Sequence, residues 1–284
     1  MDIRPPRIDF QRITVPKAGS SREECEDAAH VVLAPNEHAL FAAVSDGASE
    51  SMLAGAWADR LARGAIAAMA TDDDRHGKTD GSASFVEDLL ARTVEQWDGF
   101  LAEYQAERAA RGRPITWYEQ PGLDKGAFAT LMAVDVRVET GTAADSSRPP
   151  HWTWKAFALG DSCLFHLREG RLLASFPITD GAGFGITPQL LGSRNRDVDL
   201  ITDRASTLTG ELHPGEELVL ATDALAAWLL STSQSGSGRA GEQLGNLADL
   251  GEETFAEWVQ DERDKSRMRN DDVALIRMRV RTEG

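Results

Sequence analysis

The sequence predicts an α+β fold built on antiparallel sheets. Most strand-like runs are joined by turns too short to hold a crossover helix. The helical patterns come in blocks, one after the first hairpin and one before the last strand. The 284 residues, 42% of them hydrophobic, are enough for one large core, and no repeat or composition break divides residues 1–284 into two domains.

Residues 1–20 read as an N-terminal extension carrying a first strand. "HVVLA" and "ALFAAVSD", within residues 30–46, make a hairpin about the turn "PNEH". Leu53, Trp57, Leu61 and Ile66 then share one side of a helix over residues 50–70. A polar loop, "TDDDRHGKTDGSAS", leads to a second helix over 83–111. Strands follow at 126–139 and through a meander from His151, with turns at Gly160–Asp161 and Glu169–Gly170. Residues 178–204 are polar and irregular, and a loop of that length marks function or disorder. "EELVLATD" is a strand, followed by a helix near 224–231, a flexible connector at 231–241, helical patterns over 241–266 and a last strand at 272–281.

Bulk composition removes several function classes. A formal net charge of −16 disfavours nucleic acid and anionic membrane surfaces as partners. No stretch approaches the ~20 apolar residues of a membrane span, and "MDIRPPRIDFQRI" lacks a signal peptide's apolar core. Two cysteines, Cys25 and Cys163, fit a reducing compartment, so a cytoplasmic location is expected.

The chemistry lies in how the apolar runs end. Three stop at an aspartate: Asp46, Asp161 and Asp223. Asp271 and Asp272 stand just ahead of the final strand, and Asp27 just ahead of the first hairpin strand. Aspartate is a poor strand former and costly to bury unpaired. In antiparallel neighbours the end of one strand lies beside the start of the next, so Asp46, Asp223 and Asp271 are expected to meet at one sheet edge. Gathered carboxylates repel unless cations sit among them. An all-oxygen set without His or Cys suits Mg²⁺ or Mn²⁺ rather than Zn²⁺. Arg22, five residues before Asp27, offers a guanidinium fork for an oxyanion such as phosphate.

Arg22 with "ED" (26–27), "SDG" (45–47), "GDS" (160–162), "TD" (222–223) and "NDD" (270–272) resembles, in order and spacing, the metal-dependent protein phosphatases of the PPM or type 2C family, in their bacterial stand-alone form. The likeness runs from about residue 20 to residue 281. It implies a sandwich of two antiparallel sheets flanked by helix pairs. Asp27, Asp46, Asp223 and Asp271 then correspond to the carboxylates of a two-metal Mg²⁺ or Mn²⁺ centre, joined by the Gly47 carbonyl, and Arg22 to the phosphate-binding arginine. Asp161, with Asp223, corresponds to the site of a third ion in some bacterial members, and residues 178–204 to the flap.

The implied activity is hydrolysis of phosphoserine or phosphothreonine in proteins, by a hydroxide shared between the metals, with Asp46 central to the chemistry. A phosphoprotein substrate, a Ser/Thr kinase pathway and a monomeric state go with it. Two positions depart from the family pattern: Ala48 stands where a histidine can act as general acid, and Ala224 where glycine is usual. They leave two other readings open, a phosphatase-like regulatory or binding module with weakened turnover and a small-molecule phosphoesterase.

Overall fold

The computed structural model describes residues 7–71, 81–139, 150–185, 188–235 and 240–281. One antiparallel sheet contains β1 (Ile8–Val15), β7 (Cys163–Arg168), β8 (Arg171–Phe176), β11 (Glu216–Ala221) and β12 (Val273–Val280), in the order β1-β12-β11-β7-β8. The other contains β2 (Asp27–Leu33), β3 (Ala39–Asp46), β5 (Leu131–Glu139), β6 (His151–Leu159) and β10 (Ser206–Leu212), in the order β10-β6-β5-β3-β2. A short ribbon pairs β4 (Phe128–Ala129) with β9 (Leu191–Gly192).

Three apolar cores make four layers. Between the sheets lie Leu40, Ala42 and Val44 of β3, with Leu218 and Leu220 of β11 and Ala274 and Ile276 of β12. The alternate residues Phe41 and Ala43 face the other way, onto α1 (Ala54–Thr71), α2 (Gly81–Arg92) and α3 (Val94–Ala110). On the far side Val219, Ala221, Val273 and Leu275 pack against α6 (Asp223–Gln234), α7 (Ala240–Asp249) and α8 (Glu252–Asp264). A strand covered on both faces loses its polar alternation, which is why these strands read as unbroken apolar runs. The expected sandwich with outer helices is the fold observed.

Several expected elements are divided. The helix over 83–111 is two helices: Thr93 turns its hydroxyl back to the Leu89 carbonyl, at 2.7 Å, and leaves helical geometry (φ −121°, ψ −67°). The pattern over 241–266 breaks at Gly251, whose φ of 102° only glycine adopts cheaply. The strand over 126–139 is interrupted at Thr130 and preceded by a short helix, α4 (Gln120–Lys125). Residues 178–204 are not irregular throughout: they hold a 3-10 turn at Gly181–Gly185, β9 and α5 (Val198–Arg204). Of the connector over 231–241, residues 231–234 belong to α6, 240–241 open α7, and 236–239 lie outside the described residues, as does most of the loop over 71–84. β10 was not expected; it is an edge strand with a polar sequence, "STLTGEL", and pairs only with β6. β1 pairs with β12 along its whole length.

Candidate metal centre

The aspartates meet between the two sheets, at one end of the sandwich, and not along the edge of a single sheet. Asp46 ends β3 and Asp27 begins β2, where it is the cross-strand partner of Asp46 and not a residue ahead of the strand. From the facing sheet, β11 ends at Ala221 and Asp223 is the first residue of α6. Asp161 sits in the β6–β7 turn, and Asp271 just before β12. One carboxylate oxygen each of Asp46, Asp161 and Asp223 lies within 4.8 Å of the others.

Local chemistry fixes each position. Thr222 stands at the N-cap in extended geometry, and its hydroxyl accepts the Ala274 N–H of β12 at 2.8 Å, so the strand-to-helix corner bearing Asp223 is tied to the neighbouring strand. Gly160 turns with φ +108°, and a Cβ there would come within 2.6 Å of the Thr130 methyl. At Gly47 a Cβ would fall 2.8 Å from backbone atoms of Ala54 and Glu26, so only glycine lets α1 and the β2 entry approach the residue after Asp46. Buried hydroxyls join the strand ends: Ser45 Oγ donates to the Thr130 carbonyl at 2.6 Å, Thr130 Oγ1 accepts the Asp46 N–H at 3.1 Å, and Thr130 Oγ1 and Ser162 Oγ are 2.7 Å apart.

The electrostatics are those of a charge cluster short of cations. Burial, then the nearby Asp27, Asp223 and Asp161, push the Asp46 carboxyl well above its ordinary range. Burial also raises Asp27, whose buried Oδ2 has no hydrogen-bond partner, the Thr222 hydroxyl acting in the opposite direction. Asp161, 7% exposed, is pushed up to about 6 by burial and by Asp223, and its Oδ1 is likewise buried and unpartnered. Asp271 is raised by burial and by Asp223. Carboxylates from five positions, two of them with an orphaned buried oxygen, make an oxygen-only donor set that fits a hard divalent cation.

Two neighbouring residues hold this set in place. Asp272, beside Asp271 at the head of the final strand, is buried: its two oxygens accept the Lys17 N–H at 2.7 Å and the Glu26 N–H at 2.9 Å, tying the ends of β1 and β2 to the start of β12. Arg263, nearly buried, donates to the Pro16 carbonyl at 3.0 Å and to the Asp271 carbonyl at 2.5 Å. Arg263 is visible in the sequence only as a member of a charged run. Ala224 lies within α6 with ordinary helical geometry and is not strained. Ala48 donates its N–H to the Phe128 carbonyl at 2.9 Å and presents only a methyl.

The two arginines nearest the question are placed differently. Arg22, in the 3-10 turn Arg22–Glu24, is largely exposed and makes its ion pair with Glu252 at the start of α8. Arg269, which the sequence reading did not single out, pairs through Nη2 with Asp223 Oδ2 and also faces Asp271 and Asp161. Burial works against its charge, yet these carboxylates hold its pKa above the usual arginine value.

Comparison with solved structures agrees with this fold. The chain aligns with a bacterial serine phosphatase over 98% of its own length and 100% of the other chain, at 13% identity and a TM-score of 0.52. A single-site variant of a bacterial serine phosphatase aligns over 98% and 100%, at 12% identity and a TM-score of 0.55. The photosystem II phosphatase PBCP aligns over 96% and 99%, at 15% identity and a TM-score of 0.52. The chain has the protein phosphatase 2C fold. At these identities the likeness is one of architecture, and no protein-family model and no curated protein matches the sequence. No described helix is long and apolar enough to cross a membrane.

Proposed function

We propose that this chain is a metal-dependent protein phosphatase acting on phosphoserine and phosphothreonine. The observation that carries the reading is the convergence of Asp27, Asp46, Asp161, Asp223 and Asp271 from both sheets, with two buried oxygens left without a partner. Asp27, Asp46, Asp223 and Asp271, with the Gly47 carbonyl, would hold two Mg²⁺ or Mn²⁺ ions, and Asp161 with Asp223 a third. Bound there, the ions would supply Lewis acidity toward the phosphoryl oxygens and an activated water for in-line attack.

The chain's own contribution is positional. The Asp27–Asp46 pairing and the Ser45–Thr130–Ser162 hydroxyl chain preset the carboxylates before any ligand arrives. Ala48 supplies no proton donor, so the leaving serine or threonine oxygen takes its proton from solvent or another group. That position also favours the second reading, a phosphatase-like module with weak turnover. The same reading sets the chain against a Ser/Thr kinase, and we propose a cytoplasmic monomer.

The test is hydrolysis of a phosphothreonine peptide and of p-nitrophenyl phosphate, each with Mn²⁺, Mg²⁺ or EDTA. Metal-dependent turnover favouring the peptide supports the proposal. Metal binding without turnover supports the regulatory module, and a strong preference for the small ester supports a small-molecule phosphoesterase.

A further inference from the structure

We infer that Arg269, and not Arg22, is the residue that receives the phosphoryl oxygens. This rests on the phosphatase reading and deepens it. A phosphoryl group entering a nest of carboxylates needs a positive group beside the ions to take its remaining charge. Arg269 is the one arginine among the described residues that is ion-paired to an aspartate of the cluster. About half of its side chain is open to solvent, and only Nη2 is engaged, so the other guanidinium donors can meet an incoming oxyanion.

The backbone on both sides of Arg269 is anchored. Met268 is buried and donates its N–H to the Glu262 carbonyl at 3.2 Å. Asn270 accepts the Ala18 N–H at 2.7 Å, and the Asp271 carbonyl is clamped by Arg263. The guanidinium therefore projects from a preset loop, which lowers the ordering cost of binding. Arg22 differs in what it faces: its side chain is 71% exposed and its ion pair is with Glu252, outside the aspartate cluster.

The Arg269–Asp223 pair also explains how the charge is accommodated before the ions bind. The guanidinium neutralises Asp223 in the metal-free chain. Cations held by the carboxylates would weaken the attraction that keeps the fork on Asp223 and leave it available to a phosphoryl group. The same pairing makes Arg269 a tethered competitor for the metal, so its removal should tighten metal binding while weakening phosphate binding.

Inorganic phosphate is titrated calorimetrically into the Mg²⁺-loaded wild-type chain and into Arg269→Gln, Arg269→Lys and Arg22→Gln. Mn²⁺ affinity is measured separately on the metal-free proteins. The expected result is phosphate binding at least tenfold weaker in Arg269→Gln, intermediate in Arg269→Lys, and within twofold of wild type in Arg22→Gln. Mn²⁺ binding should be retained or tighter in both Arg269 variants. A residue that served only as a structural counterion would change thermal stability without separating the Gln and Lys variants in phosphate affinity. Phosphate binding unchanged in Arg269→Gln while Mn²⁺ still binds, or a tenfold loss in Arg22→Gln instead, overturns the arginine assignment alone. Failure of the wild-type chain to bind Mn²⁺ overturns both this inference and the phosphatase reading.

Discussion

At the scale of single residues, the carboxylate cluster is a place where stability and function oppose each other. Asp161 titrates near 6 in the folded chain against an ordinary value of 3.8, so the folded state keeps a proton that the unfolded state has lost. The stability this confers is present at acid pH and is lost as pH rises through about 6. Asp46 and Asp27 are displaced in the same direction. The metal-free protein is therefore expected to melt at lower temperature at pH 7.5 than at pH 5.5, and Asp161→Asn should flatten that slope; calorimetric scans in EDTA check both. Asp46→Asn should raise the metal-free Tm, by roughly 2–4 °C for each kcal/mol of repulsion relieved, while abolishing Mn²⁺ binding. A variant that lowers the metal-free Tm would mean Asp46 is held by the fold and not merely tolerated by it. These positions were legible because an aspartate that ends a buried strand is anomalous on physical grounds. Arg269 and Arg263 were not, since an arginine in a charged run such as "DERDKSRMRNDD" looks the same whether it faces solvent or a buried acid.

At the scale of elements, the double-sided strands and the amphipathic α1 could be read directly, because burial writes itself into composition. β10 could not: an edge strand with one buried residue, Leu212, carries almost no apolar signal. Nor could the break at Thr93, which uses no Gly or Pro and depends on a hydroxyl returning to the Leu89 carbonyl. A third hidden feature joins elements: Arg277 of β12 is 7% exposed and reaches Glu217 of β11 at 2.5 Å, and both Asp249 at 2.9 Å and the Gly245 carbonyl at 3.0 Å in α7. Replacing Arg277 with Leu strands the buried Glu217 and is expected to cost about 3–5 kcal/mol. The double variant Arg277→Leu with Glu217→Leu should recover most of that loss, because an apolar pair is a fair substitute for a buried ion pair. Urea titrations of the two variants would show it, and a double variant as unstable as the single one would place the cost in lost packing instead.

At the scale of the whole molecule, the order of the motifs along the chain was readable, but their meeting point was not, because it requires both sheets. β2 and β3 belong to one sheet and β11 and β12 to the other, so Asp27 and Asp46 are joined to Asp223 and Asp271 by the inter-sheet core, by a few hydrogen bonds such as that from the Glu26 N–H to Asp272, and by whatever they bind together. A ligand held by all four would act as a fastener across the end of the sandwich. Any ligand that binds the folded chain alone stabilises it by about 2.7 kcal/mol at a hundred times its Kd. For a chain of this size that corresponds to a Tm rise of roughly 5–10 °C on adding Mn²⁺. The rise should vanish in Asp46→Asn. Its location is as informative as its size: amide exchange should slow together at the ends of β2, β3 and β11 and at the start of β12, which are far apart in sequence. Protection confined to one of the two sheets would mean that the ion is held by that sheet alone, and the cleft between them would not be a shared metal centre.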